Sequence, residues 1–163
     1  MPTIIPYDRQ KAVNYATTWA LKRNPKYADF ANIGGDCTNF ASQCLYAGGG
    51  VMNPTPTMGW YYYSLKSRAP AWTAARYLHP FLLRNRSPGP IVREVSKSEI
   101  MPGDLVQLEN STGVYHSLVV CEVGSGRRPE ILVCAHNFDA LLRPLSSYQP
   151  LEYHYMHVEH FVV

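Results

Sequence analysis

The chain has few charges, no long apolar run and little cysteine, and each shortage closes off a class of protein. Only 17% of the 163 residues are Asp, Glu, Lys or Arg, against 46% hydrophobic. That balance is too apolar for a disordered chain. No stretch approaches the roughly 20 apolar residues that a membrane-spanning helix needs, so no membrane span is expected. The opening Met1-Pro-Thr-Ile-Ile-Pro-Tyr-Asp lacks the charged-then-apolar order of a secretion signal. Repeats and low-complexity tracts are also missing. The length suits one domain over residues 1–163, with room for a proper core.

The net charge of +3 is too small to argue for nucleic acid. Its distribution says more. Residues 1–86 carry ten Lys/Arg against three Asp/Glu, and residues 87–163 carry five against nine. The basic first half suits an anionic polymer such as a bacterial cell wall, or simply two solvated faces that attract one another.

The four cysteines are Cys37, Cys44, Cys121 and Cys134. None forms a Cys-x-x-Cys pair, which argues against a structural zinc or a thioredoxin-like site. Cys37 and Cys44 fall on one predicted helix about 10 Å apart, too far for a disulfide. Cys121 and Cys134 sit on two predicted strands that can bring them together.

Asp8 is a cap for a helix running to about Lys22, with Ala12, Tyr15, Ala16 and Trp19 on one face. Asp36 reads as the cap of a second helix over 37–47, stopped by Gly48-Gly49-Gly50. Its buried stripe is Phe40, Ala41, Cys44 and Leu45, with Cys37 at the head. Residues 51–70 read as loop and carry Trp60-Tyr61-Tyr62-Tyr63, and a third helix fits Thr73 to Arg84. Then the pattern changes to strands at Leu105–Glu109, Ser117–Cys121, Ile131–Ala135 and Tyr153–Val162, with turns at Pro102-Gly103-Asp104 and Gly124-Ser125-Gly126. Helices first and strands second give an α+β fold, helices packed on an antiparallel sheet.

Among the cysteines, Cys44, Cys121 and Cys134 fit small buried hydrophobes. Cys37 differs by opening a helix, where free N–H groups and the dipole favour a thiolate. Gly34 and Gly35 before it let a substrate approach, and its own amide can serve an oxyanion. A thiolate nucleophile needs a base that returns the proton to the leaving amine, the role of histidine. His79 reads as packing. His154, His157 and His160 alternate along a strand, so they do not converge on a metal. His116 and His136 lie at the ends of two neighbouring strands. A hairpin through 124–129 sets His116 opposite His136 or Asn137, with Asp139 a step further.

The block Gly34-Gly35-Asp36-Cys37-Thr38-Asn39-Phe40-Ala41-Ser42-Gln43-Cys44-Leu45-Tyr46-Ala47-Gly48-Gly49 resembles the signature of the bacterial Putative amidase domain family. Tyr7-Asp8-Arg9, Gly59-Trp60-Tyr61-Tyr62, Pro102-Gly103-Asp104-Leu105-Val106, His116-Ser117-Leu118-Val119-Val120 and Ala135-His136 agree with it. The resemblance spans about residues 7 to 160. That family is grouped with papain-like cysteine peptidases, beside the NlpC-type and CHAP cell-wall hydrolases.

The resemblance implies a papain-like fold with Cys37 as nucleophile and His116 as base. It implies a third group at His136, the NlpC-type choice, with Asn137 the papain-like and Asp139 the acidic alternative. It further implies amide hydrolysis in the peptide part of peptidoglycan without metal or organic cofactor, and with it an envelope or extracellular location. Without a secretion signal in this chain, a cytoplasmic location stays open. Asp36, Trp60, Tyr61 and Tyr62 are expected beside the substrate, with packing of an irregular loop an equal alternative for the three aromatics. An acyl transfer to an amine, or a silent wall-binding module, are the alternative functions.

Overall fold

A computed structural model describes residues 2–124, 127 and 130–163. In chain order the elements are β1 (Ile4–Ile5), α1 (Arg9–Trp19), α2 (Cys37–Gly49), β2 (Tyr62–Ser64), β3 (Ser67–Arg68), α3 (Pro70–Thr73), α4 (Ala75–Arg84), β4 (Gly89–Val95), β5 (Leu105–Asn110), β6 (Gly113–Val123), β7 (Ile131–Ala135), β8 (Ala140–Pro144) and β9 (Glu152–Val162). The fold is α+β. Seven strands form an antiparallel sheet in the order β1-β9-β5-β6-β7-β8, with β4 also paired to β9. No helix among the described residues is long and apolar enough to cross a membrane.

Local chemistry explains the helix ends. The Asp8 carboxylate accepts from the Lys11 N–H at 3.1 Å, so α1 starts where expected, but it ends at Trp19 rather than Lys22. Of the three glycines expected to stop α2, Gly48 and Gly49 stay helical. Only Gly50 takes the left-handed conformation (φ 73°), its N–H closing on the Tyr46 carbonyl at 2.8 Å. A side chain at Gly49 would collide with the Phe161 ring, 2.3 Å from where its Cβ would stand. The second glycine therefore permits close packing of helix on sheet.

Every residue of α2 from Cys37 to Leu45 is buried, wider than the predicted stripe. The helix lies between α1, the aromatic loop and the sheet. Phe40, Ala41, Cys44 and Leu45 join Trp60, Trp72, Val119, Cys134 and Phe161 in the core on that side. A second apolar cluster, with Val106, Leu108, Leu118, Val120 and Val133, fills the other face. On β6, Ser117 and Val119 thus look toward the helices, whereas His116 shares the parity of Leu118 and Val120 and pairs with Leu108. Cys121 and Cys134 are free thiols with sulfurs 3.2 Å apart, brought together by a register shift between β6 and β7.

Three differences from expectation concern elements. The third helix is split into α3 and α4 at Ala74, which is extended (ψ 123°). The Pro-rich stretch 87–90 leads into β4, an added strand on β9, where Pro90 is tolerated because the other flank needs no N–H. β8 follows β7 through a turn at 136–139, with Asn137 and Phe138 both at positive φ (64° and 59°), as a tight hairpin requires. The turn expected at Gly124-Ser125-Gly126 lies, beyond Gly124, outside the described residues.

Candidate active site

Cys37 is the first residue of α2, and its sulfur ends against β6. The reason lies in strand register. The Val120 N–H bonds back to the Asp104 carbonyl at 2.9 Å, on the β5 side. Backbone groups alternate along a strand, so the Ser117 N–H points the other way, toward β7. But β7 stops at Ala135, and the Ser117 N–H instead faces the Cys37 sulfur, where it favours the thiolate. The Thr38 hydroxyl, at 3.6 Å, and the Thr38 N–H are further polar neighbours of the sulfur. Thr38 is itself held by Ser117 Oγ at 2.9 Å, which also accepts from Gln107 Nε2 at 3.1 Å.

The sulfur thus faces the peptide N–H that follows His116. It opens into a groove of about 440 Å³, whose walls include Gly34, Gly35, Thr38 and Tyr115. Burial pushes the Cys37 thiol up, against the Ser117 and Thr38 hydrogen bonds that pull it down. The position at a helix start suggests a thiolate; burial leaves it a thiol.

His116 lines a neighbouring cavity of about 350 Å³ with Tyr115, Asn137, Phe138, Arg143 and Tyr148. Tyr115 borders both spaces. Among the described residues no hydrogen bond joins the His116 ring to Cys37. Burial first, and then the nearby Arg143 charge, lower the His116 pKa to about 4. At neutral pH the site therefore holds a thiol and a neutral imidazole.

The His116 shift has a consequence for stability. The unfolded chain takes up this proton near pH 6.5 and the folded chain only near 4, so stability present above pH 6.5 is lost on going down to 4. One such shift amounts to about 3 kcal/mol. Urea midpoints measured from pH 7 to 4 should fall less steeply in His116→Asn than in the wild type; parallel slopes would contradict the shift.

His136 does not reach His116, contrary to its expected role. Its Nδ1 bonds the buried Asp36 carboxylate, its Nε2 faces the Trp19 carbonyl at 2.8 Å, and its ring stacks on Phe40 at 4.1 Å. Alternation along β7 turns it toward the helices, on the face opposite His116. Asp139 is also engaged elsewhere, in a two-pronged pair with Arg23 at 2.8 and 3.1 Å. Of the three candidates, Asn137 lines the His116 cavity. Its Oδ1 accepts from the Asp36 N–H at 2.6 Å, which ties the turn after β7 to the residue before Cys37.

The residues expected to touch substrate are mostly withdrawn from the groove. Asp36 is fully buried and makes no side-chain cap to α2; its carboxylate accepts from the Phe30 N–H at 2.8 Å and Asn39 Nδ2 at 3.0 Å. Trp60 is fully buried and donates to Ser42 Oγ at 3.0 Å. Tyr61 stacks on Tyr63 and accepts from the Thr57 N–H, and the Tyr62 hydroxyl accepts from the Ala28 N–H. Of the two readings open for this aromatic run, groove wall and loop packing, the structure shows the packing of a loop onto α3. Thr38 and Ser117 join the site as sequence neighbours of Cys37 and His116, and that adjacency is the only signal the sequence carries for them.

Away from Cys37, His79, Glu94 and His154 present ligand-type atoms within 4.8 Å of one another. Here His154 bonds Glu94 at 2.7 Å and Glu109 at 2.8 Å, while His79 bonds Gln107. His157 pairs with Asp104 at 2.8 Å.

Residues 6–158 match the Putative amidase domain family. The chain belongs to that family. It is also 35% identical over 162 residues to "Uncharacterized protein YhbB" of Bacillus subtilis strain 168, covering 93% of this chain and 50% of the relative. The chain thus spans about half the length of the curated relative it matches. No solved structure matches it. Membership in this family points to an amide-cleaving hydrolase.

Proposed function

We propose that the protein is a cysteine amidase with a papain-like Cys37-His116-Asn137 arrangement, cleaving an amide in the peptide part of bacterial peptidoglycan. The observation that carries this reading is the seat of Cys37 Sγ against the peptide following His116, at the head of α2 and on an open groove. The amidase family and the basic first half of the chain support the substrate class. A wall substrate puts the site of action at the cell envelope.

The neutral pair defines the chemistry. As Cys37 Sγ bonds to the carbonyl carbon, its proton passes to a His116 ring nitrogen. The N–H groups of Cys37 and Thr38 precede the first helical hydrogen bond, Phe40 N–H to the Asp36 carbonyl at 3.0 Å. The Thr38 N–H already faces the Cys37 sulfur, which leaves the Cys37 N–H to stabilise the oxyanion. Collapse breaks the C–N bond and the amine leaves with the proton from His116. Water then attacks the thioester, giving its proton to His116, which returns it to sulfur as the carboxylic acid departs.

Mass spectrometry of purified wall fragments tests this. Hydrolysis should add 18 Da across one amide, and in the presence of added amine no amide-exchanged product should form. Exchange products would mark a transferase, and no product at all would mark a wall-binding module. Asn137→Gly should lower kcat about 10- to 100-fold at a stability cost of only about 1 kcal/mol, since glycine accepts φ 64° without strain but gives up the bond to the Asp36 N–H. Unchanged kcat would remove Asn137 from the site.

A further inference from the structure

The groove that exposes Cys37 carries two guanidinium groups, Arg68 and Arg76, and among the described residues no aspartate or glutamate lines it. Arg9 pairs with Asp104, Arg23 with Asp139 and Asp29, and Arg93 with Glu159, while Arg84, Arg86 and Arg143, away from this groove, donate to carbonyls or a hydroxyl. Among the described residues neither Arg68 nor Arg76 has a carboxylate within 4.0 Å. Arg68 is not loose. Its guanidinium lies 4.5 Å over the Phe30 ring, its Nε donates to Thr73 Oγ1 at 3.2 Å, and it also donates to the Leu65 carbonyl. Arg76 is exposed and rests 5.1 Å over the Tyr77 ring. His116 is neutral at working pH and adds no charge. Two positioned, uncompensated cations beside a thiol make the groove selective for anions that extend from the reacting carbonyl.

We propose that this groove binds an acidic peptide, seating its carboxylates on Arg68 and Arg76 so that the neighbouring amide faces Cys37. The inference rests on Cys37 as the reacting group of the amidase and names the substrate it selects. Glycines at 34 and 35 leave the opposite wall open to a peptide backbone.

The test follows alkylation of Cys37, which requires no turnover. Rates with iodoacetate and iodoacetamide are measured at pH 9 by peptide mapping, on the folded protein and in urea. Folding should raise the iodoacetate-to-iodoacetamide ratio about tenfold, and each arginine should account for about threefold, as expected for a unit charge several ångströms away in water. Arg76→Gln, on an exposed side chain, should lose about threefold without affecting the fold, and Arg68→Gln with Arg76→Gln should lose the rest. A capped Ala-Glu-Glu-Ala peptide should slow iodoacetamide labelling in the wild type, whereas Ala-Gln-Gln-Ala should not. An equal ratio in folded and unfolded protein overturns the proposal, as does an unchanged ratio in Arg76→Gln. Equal protection by both peptides, or by inorganic phosphate at the same concentration, overturns the acidic-peptide assignment. Loss of amidase activity as a finding would leave these labelling results standing, so the two readings fail separately.

Discussion

Cys37→Ser should reduce turnover of wall peptides by about 10³-fold or more, with circular dichroism and thermal midpoint unchanged. The hydroxyl fits the space of the thiol and can still accept from the Ser117 N–H, so the fold has no reason to respond. It is a far weaker nucleophile with a neutral base of low pKa beside it. The same neutral pair sets the pH profile. Because burial lowers the His116 pKa to about 4 and raises the Cys37 thiol, kcat/KM should rise along an acid limb centred near 4. Iodoacetamide should label Cys37 slowly at pH 6 and faster above pH 9. Fast labelling at pH 5, with an acid limb near 6.5, would reveal a thiolate–imidazolium pair and overturn the neutral one. Full activity in Cys37→Ser would remove the nucleophile altogether.

Much of this site was legible in the residues, and the misses have physical causes. Gly34-Gly35-Asp36-Cys37 announced a helix start, and α2 does begin at Cys37. Ile131–Ala135 was bounded correctly because β-branched and apolar residues run unbroken to His136. β4 and β8 were not visible, since Gly89-Pro90 reads as a breaker and Leu141-Leu142 lacks alternation. The position of His136 depended on which face of β7 it takes, and one residue decides that. Trp60 and Asp36 illustrate a different limit. A residue type suited to binding is equally suited to a core once a partner is supplied, and Ser42 and His136, the partners here, are distant in sequence.

Asp36 should prove the most damaging position for stability. Its carboxylate is fully buried and receives hydrogen bonds from the Phe30 N–H, Asn39 Nδ2 and the His136 ring, with Arg23 Nε 3.6 Å away. Burial raises the Asp36 carboxyl, but the His136, Asn39 and Phe30 bonds outweigh it and hold it below the usual carboxylate range. Asp36→Ala strips three donors of their acceptor at once and leaves them in a dry interior. The cost should be about 3–5 kcal/mol, read as a shift in urea midpoint. Asp36→Asn keeps the shape and one acceptor oxygen, so it should lose less. His136→Ala removes one donor and the Phe40 stack, and should fall between them. The decisive comparison is kcat per folded molecule. In His136→Ala it should stay within about threefold of wild type, because neither ring nitrogen of His136 is available to His116. In Asn137→Gly it should fall while stability drops by only about 1 kcal/mol, for the lost Asp36 N–H bond. A His136→Ala protein of wild-type stability but sharply reduced kcat would reverse the assignment, making His136 the group that orients the base and Asn137 the one that merely ties the turn to α2.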